Sequence, residues 1–163
     1  MCIRDRHLLD QYPITPSRLT IEITEEAMID DPERLAVASL RLKELGVSMS
    51  LDDFGGGYSN VSSVRDGNIS QLKIDGQWID DICDDPLSEI IVRGCVEVAH
   101  VLELTTVAER VETIEHYEKV KELGVDAIQG YLVSKPKPLH EWVTDANAVD
   151  QSNVVPIRPD LAA

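Results

Sequence analysis

The chain is poor in positive charge. Its 163 residues carry 15 Lys and Arg against 30 Asp and Glu, a formal net charge of −15. That balance builds no basic face, which argues against a nucleic-acid polymer or an anionic membrane surface as partner. Cysteine is scarce too: Cys2, Cys83 and Cys95 make an odd number, with no CxxC pair. A disulfide framework and a structural zinc site are therefore not expected, and a reducing compartment is. The four histidines, His7, His100, His116 and His140, are scattered without metal-ligand spacing. No apolar run reaches the about 18 residues of a membrane span, and no export signal is visible. The expected location is the cytoplasm, or its membrane face if a parent protein is anchored there, with no direct membrane contact by this segment.

What is present is a 43% hydrophobic chain of single-domain length. The opening residues, MCIRDR, fit nothing downstream. They look like a translated adapter remnant, so residues 1–6 are set apart and the natural protein is expected to begin upstream. Five apolar runs read as strands: 19–24, 47–54, 70–75, 104–109 and 126–132. Several are nearly continuous, as strands buried on both faces are.

Helical patterns fall between these runs. Asp31 and Pro32 open one that Gly46 stops; Asp85 and Pro86 open a second; Thr113 opens a third that Gly124 stops. In the second, Ile91, Cys95, Val98 and Leu102 recur at helical spacing as a core-facing stripe. The string KELGV joins a helix to the next strand twice, at 43–47 and 121–125. Alternating strands and helices imply a parallel sheet with right-handed crossovers. Periodicity fades after Trp142, and 146–163 is expected to be a poorly ordered tail behind a domain over 7–145.

Polar residues in the strand runs concentrate at the carboxyl ends. Glu22 lies in the first; Asp52 and Asp53 end the second; Lys73 and Asp75 end the third; Glu109 ends the fourth, with Glu112 beyond; Gln129 lies in the fifth. In parallel α/β folds those ends converge on one face. So many converging carboxylates stay ionised only if cations lie between them. Two alternatives follow: a site for one or two Mg²⁺ or Mn²⁺, or acids that are each separately solvated. Gly55, Gly56 and Gly57 are either a plain turn or a loop that approaches a ligand and moves.

The segments IEITE, LDDFGGGYSN, LKID, AERVET and QGYLVSKP occur in the order and spacing of the EAL domain, the bacterial cyclic-di-GMP phosphodiesterase family. The resemblance runs from about Leu19 to Trp142 and implies a (β/α)8 TIM-type barrel with one reversed strand. This chain is expected to hold an incomplete barrel of about five parallel strands alternating with helices. Carried over by position, Glu22, Asp52 and Asp53 resemble ligands of two metal ions, with Asp52 bridging them. Lys73 resembles the lysine that orients the attacking water. Glu109 resembles a general base or second-metal ligand, and Glu112 and Gln129 resemble residues that position water and metal. Glu25 resembles the glutamate anchoring the mobile loop after Asp53. The implied activity is hydrolysis of cyclic-di-GMP to linear pGpG with two Mg²⁺ or Mn²⁺, in a domain that forms homodimers.

The chain departs from the family in three places. Gly56 stands where the family usually has Thr, which would loosen the loop. Arg110 stands where the family usually has Gly; if that position needs positive φ or close packing, Arg displaces Glu109 and Glu112, and otherwise it points outward at no cost. The signature Glu-Ala-Leu and the Asn of the next strand are absent. The chain alone is therefore expected to be an inactive fragment, an open arc with two unpaired edges that folds poorly or self-associates. The alternatives are a degenerate EAL-like domain that binds cyclic-di-GMP or a partner protein, and another magnesium-dependent barrel enzyme, acting for instance on an enolisable acid.

Overall fold

A computed structural model of the chain describes residues 15–25, 32–57, 64, 69–136 and 154–157. The ordered elements are a 3₁₀ turn (Pro16–Arg18), β1 (Thr20–Thr24), α1 (Pro32–Glu44), β2 (Ser48–Phe54), β3 (Gln71–Ile74), α2 (Gly76–Asp80), α3 (Pro86–Val101), β4 (Thr105–Ala108), α4 (Ile114–Glu122), β5 (Ala127–Gln129) and β6 (Val154–Pro156). They form one sheet in the order β1-β2-β3-β4-β5-β6. The first five strands pair in parallel, as the alternation of strand and helix requires.

The helix signals act as the residue types dictate. Asp85 accepts from the amides of Leu87 and Ser88, and Thr113 accepts from the amide of His116. Each cap contributes about 1 kcal/mol. Asp31 lies outside the described residues. The two KELGV turns are superimposable in their bonding. Gly46 and Gly124 adopt φ of +75° and +86°. Val47 N–H returns to the Leu42 carbonyl as Val125 N–H returns to that of Val120. The apolar face of α3 differs from the expected stripe. Its buried residues are Ser88, Val92, Cys95, Val96 and Ala99. Ile91, Val98 and Leu102 pack only partly buried beside them, because α3 crosses the sheet on the Val92–Cys95–Val96–Ala99 side.

Register divides the sheet into two faces. Phe54 pairs with Ile74, Ile74 with Ala108 and Ala108 with Ile128, a row buried in the main core. Lys73 pairs with Val107 and Val107 with Ala127 on the other face, which would line the barrel interior. Val107 and Ala127 are buried yet stand apart from that main core.

Val154–Pro156, inside the segment expected to be a poorly ordered tail, pairs antiparallel with β5 and covers that edge. Proline is tolerated there because an outer strand can dispense with one donor. The rest of 146–163, and residues 1–6, lie outside the described residues.

Candidate metal and active site

The site is built at the carboxyl ends of β1 to β4. Its centre is Lys73, which is 2% exposed. Its Nζ lies 2.7 Å from Asp52 Oδ1, 2.5 Å from Glu109 Oε1 and 3.3 Å from Glu22 Oε2. Burial works against the ammonium, but hydrogen bonds to Asp52 and Glu109 outweigh it and hold the Lys73 pKa well above the ordinary lysine value. Lys73 is thus a permanent cation and not a proton acceptor.

A bulge places the second aspartate. Between Leu51–Leu72 and Phe54–Ile74, β2 advances three residues while β3 advances two. Asp53 is the extra residue and takes a left-handed φ of +57°. Regular alternation would send Asp53 to the helix side and Phe54 to the interior. The bulge instead keeps Phe54 in the core and lets both aspartates serve the same side. Carboxylate oxygens of Asp52, Asp53 and Glu109 come within 4.8 Å of one another.

This donor set fits a divalent cation. Three carboxylates converge within 4.8 Å of one another, two of them on Lys73, and Glu22 adds a further acid at the lysine. Burial, with the charge of Asp52 and then Asp75, raises the Asp53 pKa. Burial also raises that of Glu109, against the pull of Lys73. In both, burial is the larger cause and the neighbouring aspartates add to it. All-oxygen donors suit Mg²⁺ or Mn²⁺.

The remaining expected residues divide. Gln129 ends β5, and its backbone carbonyl accepts from the Val111 amide. Glu112 is exposed on the turn before α4 and is not in the close carboxylate set. Glu25 is half-buried, and its Oε1 is buried with no hydrogen-bond partner among the described residues. Its charge also raises the Cys95 pKa, after the larger effect of burial. Cys95 lies under the glycine turn: a Cβ at Gly55 would stand 3.4 Å from its Sγ. Glu25 therefore sits beside the start of the loop it is expected to anchor; residues 58–63 lie outside the described set.

The turn itself is fastened. Gly55 takes φ +90°, and its carbonyl accepts from Trp78 Nε1–H at 2.9 Å. Gly56 donates its amide to the Asp53 carbonyl at 3.2 Å. The Asp75 carboxylate fills the place a Gly56 side chain would take. Asp75 is the residue the sequence left without a role. It caps α2 through Gln77 N–H and binds Gln77 Nε2 at 2.8 Å. A carboxylate two residues after Lys73 and just before a glycine was the available signal.

Arg110 combines features of both alternatives. It has φ +53°, its side chain lies across Gly76, and its guanidinium pairs with Asp80. Glu109 remains on Lys73.

The EAL domain family model matches residues 2–136. The chain belongs to the EAL domain family. Its match takes in residues 2–6, which were set apart on sequence grounds. Cyclic di-GMP phosphodiesterase PdeF of Escherichia coli strain K12 is 34% identical over 145 residues, 89% of this chain and 19% of PdeF. The structure of the PaMucR phosphodiesterase in complex with c-di-GMP is similar at a TM-score of 0.79 and 34% identity, over 84% of this chain and 56% of that one. The manganese and cyclic-di-GMP complex of Klebsiella pneumoniae BlrP1 is similar at a TM-score of 0.75 and 30% identity, over 81% of this EAL chain and 34% of that one. The five parallel strands alternating with helices agree with these barrel-like EAL structures. The EAL segment described here thus spans only a minor part of PdeF.

Proposed function

We propose that this EAL segment supplies much of the catalytic face of a metal-dependent cyclic-di-GMP phosphodiesterase that opens the substrate to linear pGpG. The observation that carries the reading is the convergence of Asp52, Asp53 and Glu109 with Lys73 at adjoining strand ends. Asp52, Asp53 and Glu22 would hold divalent metal, with Glu109 beside them. Two Mg²⁺ or Mn²⁺ bound there would neutralise a phosphodiester and lower the pKa of water. Lys73, locked as a cation, places positive charge where the pentavalent phosphorus centre gathers negative charge. Glu109, its carboxylate on Lys73 beside the two aspartates, would serve as general base or as a ligand of the second metal. Glu112 and Gln129 would serve as groups that position water and metal. Glu25 would hold the loop after Asp53 closed over substrate, with Gly55, Gly56 and Gly57 allowing its approach.

Full activity would need the upstream Glu and Asn ligands that these 163 residues do not include, so the chain alone would be inactive. Homodimerisation and a cytoplasmic location belong to the same proposal. Among the described residues no helix is long and apolar enough to cross a membrane.

The test is incubation of a domain with its upstream strands restored, with cyclic-di-GMP and Mn²⁺ or Mg²⁺, beside Asp52→Ala. Appearance of pGpG that Asp52→Ala abolishes supports the proposal. Nucleotide binding without cleavage overturns it in favour of a sensor. No binding leaves another barrel chemistry.

A further inference from the structure

Gly76 is the first residue of α2, where alanine would serve the helix better than glycine. Its backbone φ lies outside the left-handed region, so conformation does not call for glycine either. The reason lies across the sheet. A Cβ at Gly76 would stand 2.6 Å from Arg110 Cγ and 2.7 Å from Arg110 Cδ. The aliphatic stem of Arg110 occupies the room that the missing side chain leaves, and its Nη2 then reaches Asp80 at the far end of α2. An exposed ion pair alone holds little. A stem seated on bare backbone, with its head paired, is a fit.

That fit acts on Glu109. The residue before Arg110 carries the carboxylate that touches Lys73. The Glu109 amide bonds the Ile74 carbonyl at 3.3 Å, and the Val111 amide bonds that of Gln129 at 3.1 Å. Val111 also presses its backbone onto Gly130, where a Cβ would lie 2.8 Å from the Val111 carbonyl carbon. The turn is held by backbone on both flanks, and Arg110 is the side chain that ties it to α2. Its left-handed φ is a strain that the surroundings must maintain.

We propose that Arg110 is a positioning residue for Glu109, acting through a matched fit with Gly76 and Asp80. The inference deepens the reading of the site as a divalent-cation centre and rests on it.

The test is a double-variant cycle in the full chain: Gly76→Ala, Arg110→Gly and both together. Two readouts are followed, hydrogen exchange at the Val111 amide and Mn²⁺ affinity. Gly76→Ala is expected to speed exchange and weaken Mn²⁺ binding by about threefold or more while Arg110 is present. In the Arg110→Gly background the same change is expected to be neutral or protective, since the clash is gone and alanine favours the helix. Arg110→Gly alone is expected not to lower Tm, because it relieves the left-handed strain, yet to weaken Mn²⁺ binding. Charge alone gives the opposite sign, since removing a nearby cation tightens a divalent ion. Equal effects of Gly76→Ala in both backgrounds, tighter Mn²⁺ binding in Arg110→Gly, or a double variant that stays unfolded would each overturn the proposal. If the unaltered chain takes up no Mn²⁺, the metal reading falls, and the exchange cycle alone decides whether the fit holds the turn.

Discussion

Lys73 Nζ and Asp52 Oδ1 lie 2.7 Å apart, tying the end of β3 to the end of β2. Lys73 is the buried member of the pair, so it carries the burden of desolvation. Replacing it by methionine keeps the stem but leaves Glu22, Asp52, Asp53 and Glu109 facing one another without a cation. Lys73→Met is expected to lower stability by about 3 kcal/mol, the scale of a broken buried ion pair. Added Mn²⁺ should recover part of that loss, and more than it adds to the unaltered chain. Urea titrations with and without Mn²⁺ read both effects. An unchanged midpoint in Lys73→Met would mean that the acids are separately solvated.

Asp53 separates backbone strain from metal binding. At φ +57° a residue with a Cβ is disfavoured, whereas glycine is at ease. Asp53→Gly should hold or raise stability, by up to about 1 kcal/mol. It should nonetheless weaken Mn²⁺ binding by tenfold or so, a shift of ~1.4 kcal/mol. Asp53→Ala should lose both. Thermal melts and Mn²⁺ titrations on the two variants make the comparison. Equal Mn²⁺ affinity in Asp53→Gly would remove Asp53 from the ligand set.

Cys95 reports on the glycine turn. Burial pushes its thiol up to about 12, so the thiolate is suppressed at ordinary pH in the folded chain. A thiol raised in this way stabilises the fold below its ordinary value of 9.0 and loses that contribution as pH rises toward 12. At pH 8 alkylation is expected at exposed Cys83 well before Cys95, and Mn²⁺ should slow Cys95 further by holding the turn above it closed. Mass spectrometry of the alkylated peptides resolves the two sites. Cys95 reacting as fast as Cys83 would mean that the turn opens freely.

Thr106 and Asp126 form a closed exchange between β4 and the residue preceding β5. The Thr106 amide and hydroxyl both donate to Asp126 Oδ2 at 2.8 Å, and the Asp126 amide donates back to Thr106 Oγ1 at 3.0 Å. Both residues are buried. Asp126→Ala orphans the Thr106 amide and should cost about 3 kcal/mol, a buried donor and hydroxyl each losing a charged partner. Adding Thr106→Val to Asp126→Ala should cost less than its effect alone, because the two share one network. Denaturant melts of the three variants test this; simple additivity would count against a shared network.

The sequence revealed elements wherever a residue type has one dominant local use. Asp85 before Pro86, Thr113 before an amphipathic run and glycine in both KELGV strings fixed helix ends without tertiary information. The acids of the site were also visible, since they interrupt apolar runs at strand ends. What stayed hidden depends on neighbours distant along the chain. DDF reads as ordinary alternation, and only pairing with Leu72 and Ile74 makes Asp53 the extra residue. Both fates of Arg110 were open until Gly76 and Asp80 were in place beside it. Val154–Pro156 is too short to announce itself and becomes a strand only because β5 offers an edge.

The bulge in β2 sets the sheet and the chemistry at odds over a single codon. Loss of Asp53 by in-frame deletion would bring Leu51, Asp52 and Phe54 into unbroken step with Leu72, Lys73 and Ile74, relieving a left-handed residue and leaving the core row intact. Such a chain would fold at least as readily and hold one carboxylate fewer. Folding screens would pass it as sound, and only a measurement of bound metal would expose the loss.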